Sequence, residues 1–360
     1  MAGAVSEGGL YARLAGLPLT IEGHGLELMQ QAVSSGFNRV TTVVTLRGRG
    51  FVGVGEDITY EEEAHAAALS ERSAYALAGT HSLGGFSELL QTLLPAEDSP
   101  HPRWGFEAAA LDLALLQAGR TLGGVLERPS LPVRFVMSTR LSSSSSDALL
   151  REWVAAVPGL EFKLDPQSAW TPGLFSSLRS LGRVRVLDLK GAYKGTSVDQ
   201  AFDATLYRWV GQLALAGDPP VYVEDPALDE GALEALGGAA KLVSWDAPIH
   251  SVVDIQGLPF PPAAINIKPS RFGSVQRLLA AVEYCGAHGI PMYGGGQFEL
   301  GPGRDQIQAL ASVLYADAAN DVAPGGYNVG GPRPGMPRSP LAPPEAPPAG
   351  FRFADRRRLG

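Results

Sequence analysis

Apolar positions between residues 160 and 270 fall into short runs that each close on a charged residue. The runs are Glu161-Phe-Lys163, Val186-Leu-Asp188, Tyr222-Val-Glu224, Ser244-Trp-Asp246 and Ile265-Asn-Ile-Lys268. Successive charges lie about two dozen residues apart, with one longer interval, which is room for a strand, a helix and their loops. That rhythm predicts an α/β fold, a (β/α)8 TIM-type barrel. Charges at the C-terminal ends of consecutive parallel strands converge on one mouth, so three carboxylates would gather there between two lysines.

The remainder of the chain has a different texture. Residues 1–128 read as a separate α+β domain, with strands at Leu17–Ile21, Arg39–Leu46 and Gly50–Gly55 and helices at Glu61–Leu77 and Trp104–Ala118. The barrel domain spans 129–325 and starts with the strand Pro132–Val136. Ser142–Ser146 follows it as a polar loop on the mouth side. From 326 to 360 the chain is dense in Gly and Pro and predicts an irregular tail that packs back on the first domain.

Three carboxylates confined to one cleft repel one another and take up protons unless a cation neutralises them. Asp188, Glu224 and Asp246 offer oxygen only, the donor set of Mg²⁺, with Mn²⁺ as a substitute. Lys163 and Lys268 would approach from opposite sides. A lysine becomes a base when desolvation or a neighbouring cation lowers its pKa.

The ordered series Gly53-Val-Gly55-Glu56, Phe106-Glu-Ala-Ala-Ala-Leu-Asp112, Glu224-Asp-Pro226, Lys268-Pro-Ser270 and Gly294-Gly-Gly-Gln-Phe-Glu299 resembles the enolase superfamily, in its muconate-lactonizing and mandelate-racemase-like branches. The resemblance covers roughly residues 15 to 325. It implies a modified barrel in which the first domain is a cap, with Glu22–Asn38 as the lid over the substrate. It implies metal ligands Asp188, Glu224 and Asp246 and catalytic lysines Lys163 and Lys268. Asn266, Glu299 and Gly295 would support the site or bind substrate. The chemistry implied is Mg-dependent removal of a proton alpha to a carboxylate, through an enediolate.

Two positions depart from the family pattern. Glu161 stands where paired-lysine members carry a first lysine, and a carboxylate two residues away on the same strand face would raise the Lys163 pKa. Asp188-Leu-Lys190 replaces the common Asp-x-Asn, so Lys190 would bind a substrate carboxylate or neutralise Glu161. Because an elimination needs only one competent base, a lyase of the o-succinylbenzoate synthase type ranks ahead of a racemase or epimerase of amino acids or dipeptides, or a cycloisomerase. The rival from another class is a barrel that has lost its chemistry and serves as a binding protein.

Composition narrows the rest. At 360 residues, 45% hydrophobic, the chain has the apolar content for a large core and two domains. A net charge of −8 argues against nucleic acid as a partner, and no apolar run is long enough for a membrane. A small carboxylate substrate is the expected partner, with a homo-oligomer compatible. The lone Cys285 and the absence of a signal-peptide pattern fit a cytoplasmic setting. Gly301-Pro-Gly303 before a helix reads as an anion cradle or a tight turn. His250 and His288 lie in positions unsuited to catalysis, and Gly53-Val-Gly55 is too short for a dinucleotide fingerprint, which argues against NAD.

Overall fold

The structure, a computed structural model, describes residues 9–33, 38–141, 144–193, 200–328 and 330–354. Five strands build the N-terminal part: β1 (Pro18–Ile21), β2 (Gly23–Ala32), β3 (Asn38–Gly48), β4 (Phe51–Asp57) and β5 (Gly79–Ser82). β1 pairs antiparallel with β5, and β2, β3 and β4 form an antiparallel meander. The expected lid is corrected here: most of Glu22–Asn38 is β2, paired with β3 from Gly23 opposite Arg47 to Ala32 opposite Asn38. β2 is a largely exposed edge strand, so it carries little of the in–out alternation that marks a buried strand. Residues 34–37, between β2 and β3 in sequence, lie outside the described residues, as do Ser142 and Ser143 of the expected polar loop.

The helix Pro100–Ala118 is buried along nearly its whole length and lies across β4. Gly53 and Gly55 permit that contact. A Cβ on Gly53 would come within 2.4 Å of the Ala109 carbonyl oxygen, and one on Gly55 within 2.1 Å of the Gly105 carbonyl oxygen. The Gly-Val-Gly pattern thus records helix–strand packing.

Seven parallel strands follow: β6 (Val136–Thr139), β7 (Glu161–Leu164), β8 (Val184–Asp188), β9 (Tyr222–Glu224), β10 (Val243–Trp245), β11 (Ala264–Ile267) and β12 (Met292–Gly294). They neighbour one another in chain order. The eighth position is reduced to Asn320 and Asp321, which bridge to Phe135 on one edge and Gly295 on the other. Asn320 completes this seam through its amide, accepting from the Gly294 N–H at 2.7 Å and donating to the Arg134 carbonyl at 2.9 Å. The fold is a modified (β/α)8 barrel with an N-terminal cap, as the strand-end rhythm predicts. Thr171, Asp203 and Ser274 cap the helices that follow them, each accepting a backbone N–H of the first turn.

Buried carboxylates join cap to barrel. Glu56, at the end of the Gly-Val-Gly-Glu motif, accepts the backbone N–H groups of Leu300 (2.7 Å), Gly301 (3.0 Å) and Gly303 (2.9 Å) at the start of the helix Pro302–Leu314. The anion in the Gly301-Pro-Gly303 cradle is therefore the chain's own Glu56, favoured by the positive helix end. A side chain on Gly303 would have its Cβ 2.8 Å from Glu56 Oε2. Asp112 accepts the Val54 and Phe351 N–H groups and pairs with Arg352 at 2.8 Å. Asp305 accepts the Phe353 and Ala354 N–H groups. Through these contacts and the buried rings of Phe351 and Phe353, the last described residues of the tail lie over the cap helix and the barrel helix Pro302–Leu314.

At the foot of the barrel, away from the strand ends, Glu161 is clasped by Arg134 (2.7 Å) and Arg185 (2.6 Å). Burial raises its pKa, but the two guanidinium groups outweigh that and hold it below the usual carboxylate value. Neither assigned role for Glu161 survives: it is not the partner of Lys190, and its charge is already neutralised by arginines.

Two outcomes follow from these contacts. Glu56→Ala strands three buried N–H groups and is expected to lower unfolding free energy by about 3 kcal/mol in urea; a loss below about 1 kcal/mol would mean those amides find other partners. Glu161→Gln is expected to cost roughly 2 kcal/mol at neutral pH. Since the folded pKa of Glu161 is depressed, its contribution is fully present above the unfolded value of about 4.3 and is lost as pH falls through the lower folded value. Wild type and variant should therefore converge in stability in acid, and a gap that is independent of pH would contradict the ion-pair account.

Candidate active site

All five strand-end charges reach the same mouth. Lys163 lies within β7; Asp188 and Glu224 close β8 and β9 and face each other in register. Asp246 and Lys268 immediately follow β10 and β11. Asp188, Glu224 and Asp246 are fully buried, and Lys163 is 2% exposed. Left-handed backbone at non-glycine residues gathers here, with Arg49 and Glu127 the others among the described residues. Lys190, Asp225 and Phe298 have φ of 56°, 45° and 58°, left-handed values that non-glycine residues seldom adopt and that concentrate at functional sites.

Every oxygen of the three carboxylates has a donor. Asp188 accepts the ammonium of Lys190, the Lys190 N–H at 3.2 Å and Lys163 at 3.2 Å. Glu224 accepts Lys163 on Oε1, and Tyr293 and the Asn266 amide (3.1 Å) on Oε2. Asp246 accepts Arg271 on Oδ1 at 2.8 Å, and Lys268 (2.9 Å) and Tyr193 (3.0 Å) on Oδ2. Lys163 and Lys268 thus hold different carboxylates, one on the β9 side and one on the β10 side of the trio.

The protonation of the cluster follows from these contacts. Burial pushes Asp188 upward, but Lys190 and Lys163 outweigh it and hold Asp188 well below the carboxylate range. Asp246 is held low in the same way by Arg271 and Lys268 against burial. Glu224 goes the other way: burial, with Asp188 and Asp246 beside it, raises it well above its ordinary value although Lys163 opposes. Burial and the charges of Asp246 and Asp188 raise Asp225 to about 7. Burial works to lower Lys163, but Glu224, Asp188, Asp321 and Asp246 raise it well above a free amine. Glu161 is not among the groups that set it.

The remaining expected residues divide. Asn266 is in the site, with its Oδ1 buried and unpartnered among the described residues. Gly295 is there because a Cβ would come 2.3 Å from Asn266 Oδ1 and 2.8 Å from Lys268 Cε, closing the path of that side chain. Lys190 is at the mouth, on Asp188. Glu299 is not on a lysine: it accepts the Gln297 N–H and pairs with Arg304 at 3.0 Å. His250 is exposed and turned to the Arg271 and Ala247 carbonyls, and His288 is exposed beyond the helix Val275–Ala287.

Five residues of the cluster escaped the sequence reading, among them Tyr193, whose hydroxyl donates to Asp246. Arg271, one turn after Lys268 in the short helix Pro269–Phe272, forks between Asp246 and the Tyr193 hydroxyl. Asp225 accepts the Asp246 and Ala247 N–H groups and so braces the third carboxylate. Tyr293 points inward from β12, bridging Glu224 and Ser244. Asp321, on the vestigial eighth strand, lies 3.9 Å from Lys163. Asp225 was visible in the Glu-Asp-Pro motif; Asp321 had no surrounding apolar run to mark it.

The donor set suits a hard divalent cation. Asp188, Glu224, Asp225, Asp246 and Asp321 supply five carboxylates against the four cations Lys163, Lys190, Lys268 and Arg271. One carboxylate of a bound substrate would bring the shortfall to two positive charges, and the upward direction of Glu224 and Asp225, caused by burial and by neighbouring carboxylates, is the one expected where carboxylates outnumber cations. Asp188, Glu224 and Asp246 are the carboxylates whose oxygens, now occupied by Lys163, Lys190, Lys268 and Arg271, could take such an ion.

Comparison with known proteins gives the relationship. The chain matches the family described as Domain of unknown function (DUF8230), in its N-terminal domain over residues 12–125 and its C-terminal domain over residues 129–329. A mandelate racemase/muconate lactonizing protein from Herpetosiphon aurantiacus superposes with a TM-score of 0.70 at 17% identity, covering 93% of this chain and 98% of that one. A muconate lactonizing enzyme gives 0.68 at 19%, over 94% and 98%. An enolase superfamily member from Listeria innocua gives 0.66 at 18%, over 86% of each. Among curated proteins, an N-succinylamino acid racemase from an Amycolatopsis species is 45% identical over 49 residues, 14% of this chain and 13% of that protein. The chain belongs to the DUF8230 family, and its fold is that of the mandelate-racemase and muconate-lactonizing members of the enolase superfamily.

Proposed function

We propose that the protein is an enzyme that removes a proton from the carbon alpha to a substrate carboxylate, with Lys163 and Lys268 as the proton-handling groups. The observation that carries the reading is the placement of two buried amines on different carboxylates of one trio. A bound Mg²⁺ would supply positive charge for the substrate carboxylate and for the charge that develops as the alpha proton leaves. Lys163 is held cationic only by its carboxylate neighbours, and burial already works to lower its pKa. Neutralising Glu224 and Asp188 would remove the two largest charges that hold Lys163 up, and burial would then work toward a neutral, basic amine. The amine that keeps its proton faces the anionic intermediate and stabilises it electrostatically.

Elimination ranked first on sequence because Glu161 was expected to hamper Lys163. With Glu161 held by Arg134 and Arg185, that reason no longer applies. Two working bases favour transfer of the alpha proton from one face to the other: one lysine takes it, the second returns a proton to the opposite face, and no other bond changes. Racemisation or epimerisation is therefore our preferred reading. The similar folds titled L-Ala-D/L-Glu Epimerase, and the segment shared with an N-succinylamino acid racemase, are in keeping with it. An o-succinylbenzoate synthase-type elimination is the alternative and would use the same site with one base.

The lysine variants test this reading. With a racemised substrate in D₂O, Lys163→Ala and Lys268→Ala should each lose turnover by at least about a thousandfold, yet each should still exchange the alpha proton of one enantiomer. Loss of all exchange in one variant, with exchange of one and the same enantiomer as in wild type retained in the other, would indicate one-base elimination; full activity in both would remove the lysines from the mechanism. Asp246→Asn should weaken Mg²⁺ binding by roughly tenfold or more in calorimetry, because a full charge leaves the cluster while the shape stays. Unchanged affinity would exclude Asp246 as a ligand.

A further inference from the structure

Lys190 stands apart from the other three cations of the site. It takes both oxygens of one carboxylate, Oδ2 through its ammonium and Oδ1 through its backbone N–H at 3.2 Å. Its left-handed backbone, φ 56°, folds the side chain back over Asp188, and the Tyr193 ring lies 5.3 Å beneath the ammonium. A second carboxylate lies on the outer side: Asp165 Oδ1 is 3.8 Å from the same ammonium, and Arg140 engages only the other oxygen, Oδ2, at 3.4 Å. The two partners differ in environment. The Asp188 side chain is fully buried, whereas that of Asp165 is 17% exposed. Passing from Asp188 to Asp165 exchanges one carboxylate for another while moving the ammonium toward water, so the desolvation regained offsets part of the lost pairing.

We infer that Lys190 competes with a divalent cation for Asp188, and that Asp165 is the position to which its ammonium swings when such a cation binds. The inference rests on the metal reading proposed above. It assigns the Asp-x-Lys sequence a specific consequence: an internal cation that lowers affinity for the metal and neutralises Asp188 without it. Lys163 cannot serve in this way, since it is also committed to Glu224, and Arg271 is anchored at both ends of its fork by Asp246 and Tyr193.

Calorimetric titration of the full chain with Mg²⁺, repeated with Mn²⁺ and followed by electron paramagnetic resonance of the free ion, tests the competition. Lys190→Met keeps the length and loses the charge, and is expected to bind either ion at least about tenfold more tightly than wild type. Asp165→Asn removes the second position and is expected to bind several-fold more weakly. In the Lys190→Met background, Asp165→Asn should have no further effect, since there is no ammonium left to receive.

Should Lys190→Met fold poorly, Lys190→Gln provides the same comparison, and Asp165→Asn alone, at a partly exposed position, still reports the swing. Metal binding by wild type with equal or weaker affinity in both Lys190 variants would overturn the inference and leave the metal reading intact. Equal effects of Asp165→Asn with and without Lys190 would also overturn it. Failure of wild type and every variant to bind either ion up to tens of millimolar would end the metal reading and this inference together.

Discussion

A shortage of positive charge at the barrel mouth is the constraint around which this molecule is arranged. Three strand ends deliver Asp188, Glu224 and Asp246 to a volume with no access to water, and neighbouring Asp225 and Asp321 deepen the deficit. Uncompensated, such a cluster would be prohibitively costly to bury. The chain answers with two lysines from the strands, a third from the β8 loop and an arginine one turn beyond Lys268. Tyrosine hydroxyls and one amide fill the remaining lone pairs. The arrangement leaves the cluster balanced closely enough to fold, yet still favourable to an added cation and a carboxylate ligand.

The same device holds the cap in place. Glu56, Asp112 and Asp305 are buried carboxylates whose partners are backbone N–H groups of another segment, and each joins parts of the chain far apart in sequence. Glu56 and Asp305 also lie at the start of the helix Pro302–Leu314, where the helix field stabilises a carboxylate, and Asp112 is paired with Arg352, so these joints give position without needing a metal. Because Glu56 binds the residues that follow Glu299, the cap and the glycine-rich loop after β12 are fixed to each other. Arg39 of β3 strengthens this link by donating to the Gln297 carbonyl at 3.2 Å.

How much of this was written legibly in the sequence depended on periodicity. The runs that close on Lys163, Asp188, Glu224, Asp246 and Lys268 were legible because each is a short, largely buried apolar stretch marked by a charge. Their common destination follows from parallel strand geometry. β2 was not legible, since an exposed edge strand has little alternation, and the eighth strand was not, since it is two residues long. Glu161 illustrates a different failure. Sharing a strand face with Lys163 suggested an electrostatic partner, but the face extends from the foot of the barrel to its mouth, and Arg134 and Arg185 claim the carboxylate at the foot. Arg271 and Tyr193 were missed because helix and loop positions beyond a strand end carry no periodic signal.

The central claim is that the charge-deficient trio is a cation site. A crystal structure of the full chain grown with Mn²⁺, with anomalous diffraction recorded at the manganese edge, tests it most directly. The account predicts one strong anomalous peak within ligand distance, about 2.2 Å, of oxygens from Asp188, Glu224 and Asp246. Crystals that show no peak there, with Lys163, Lys190, Lys268 and Arg271 still seated on those oxygens, would contradict it.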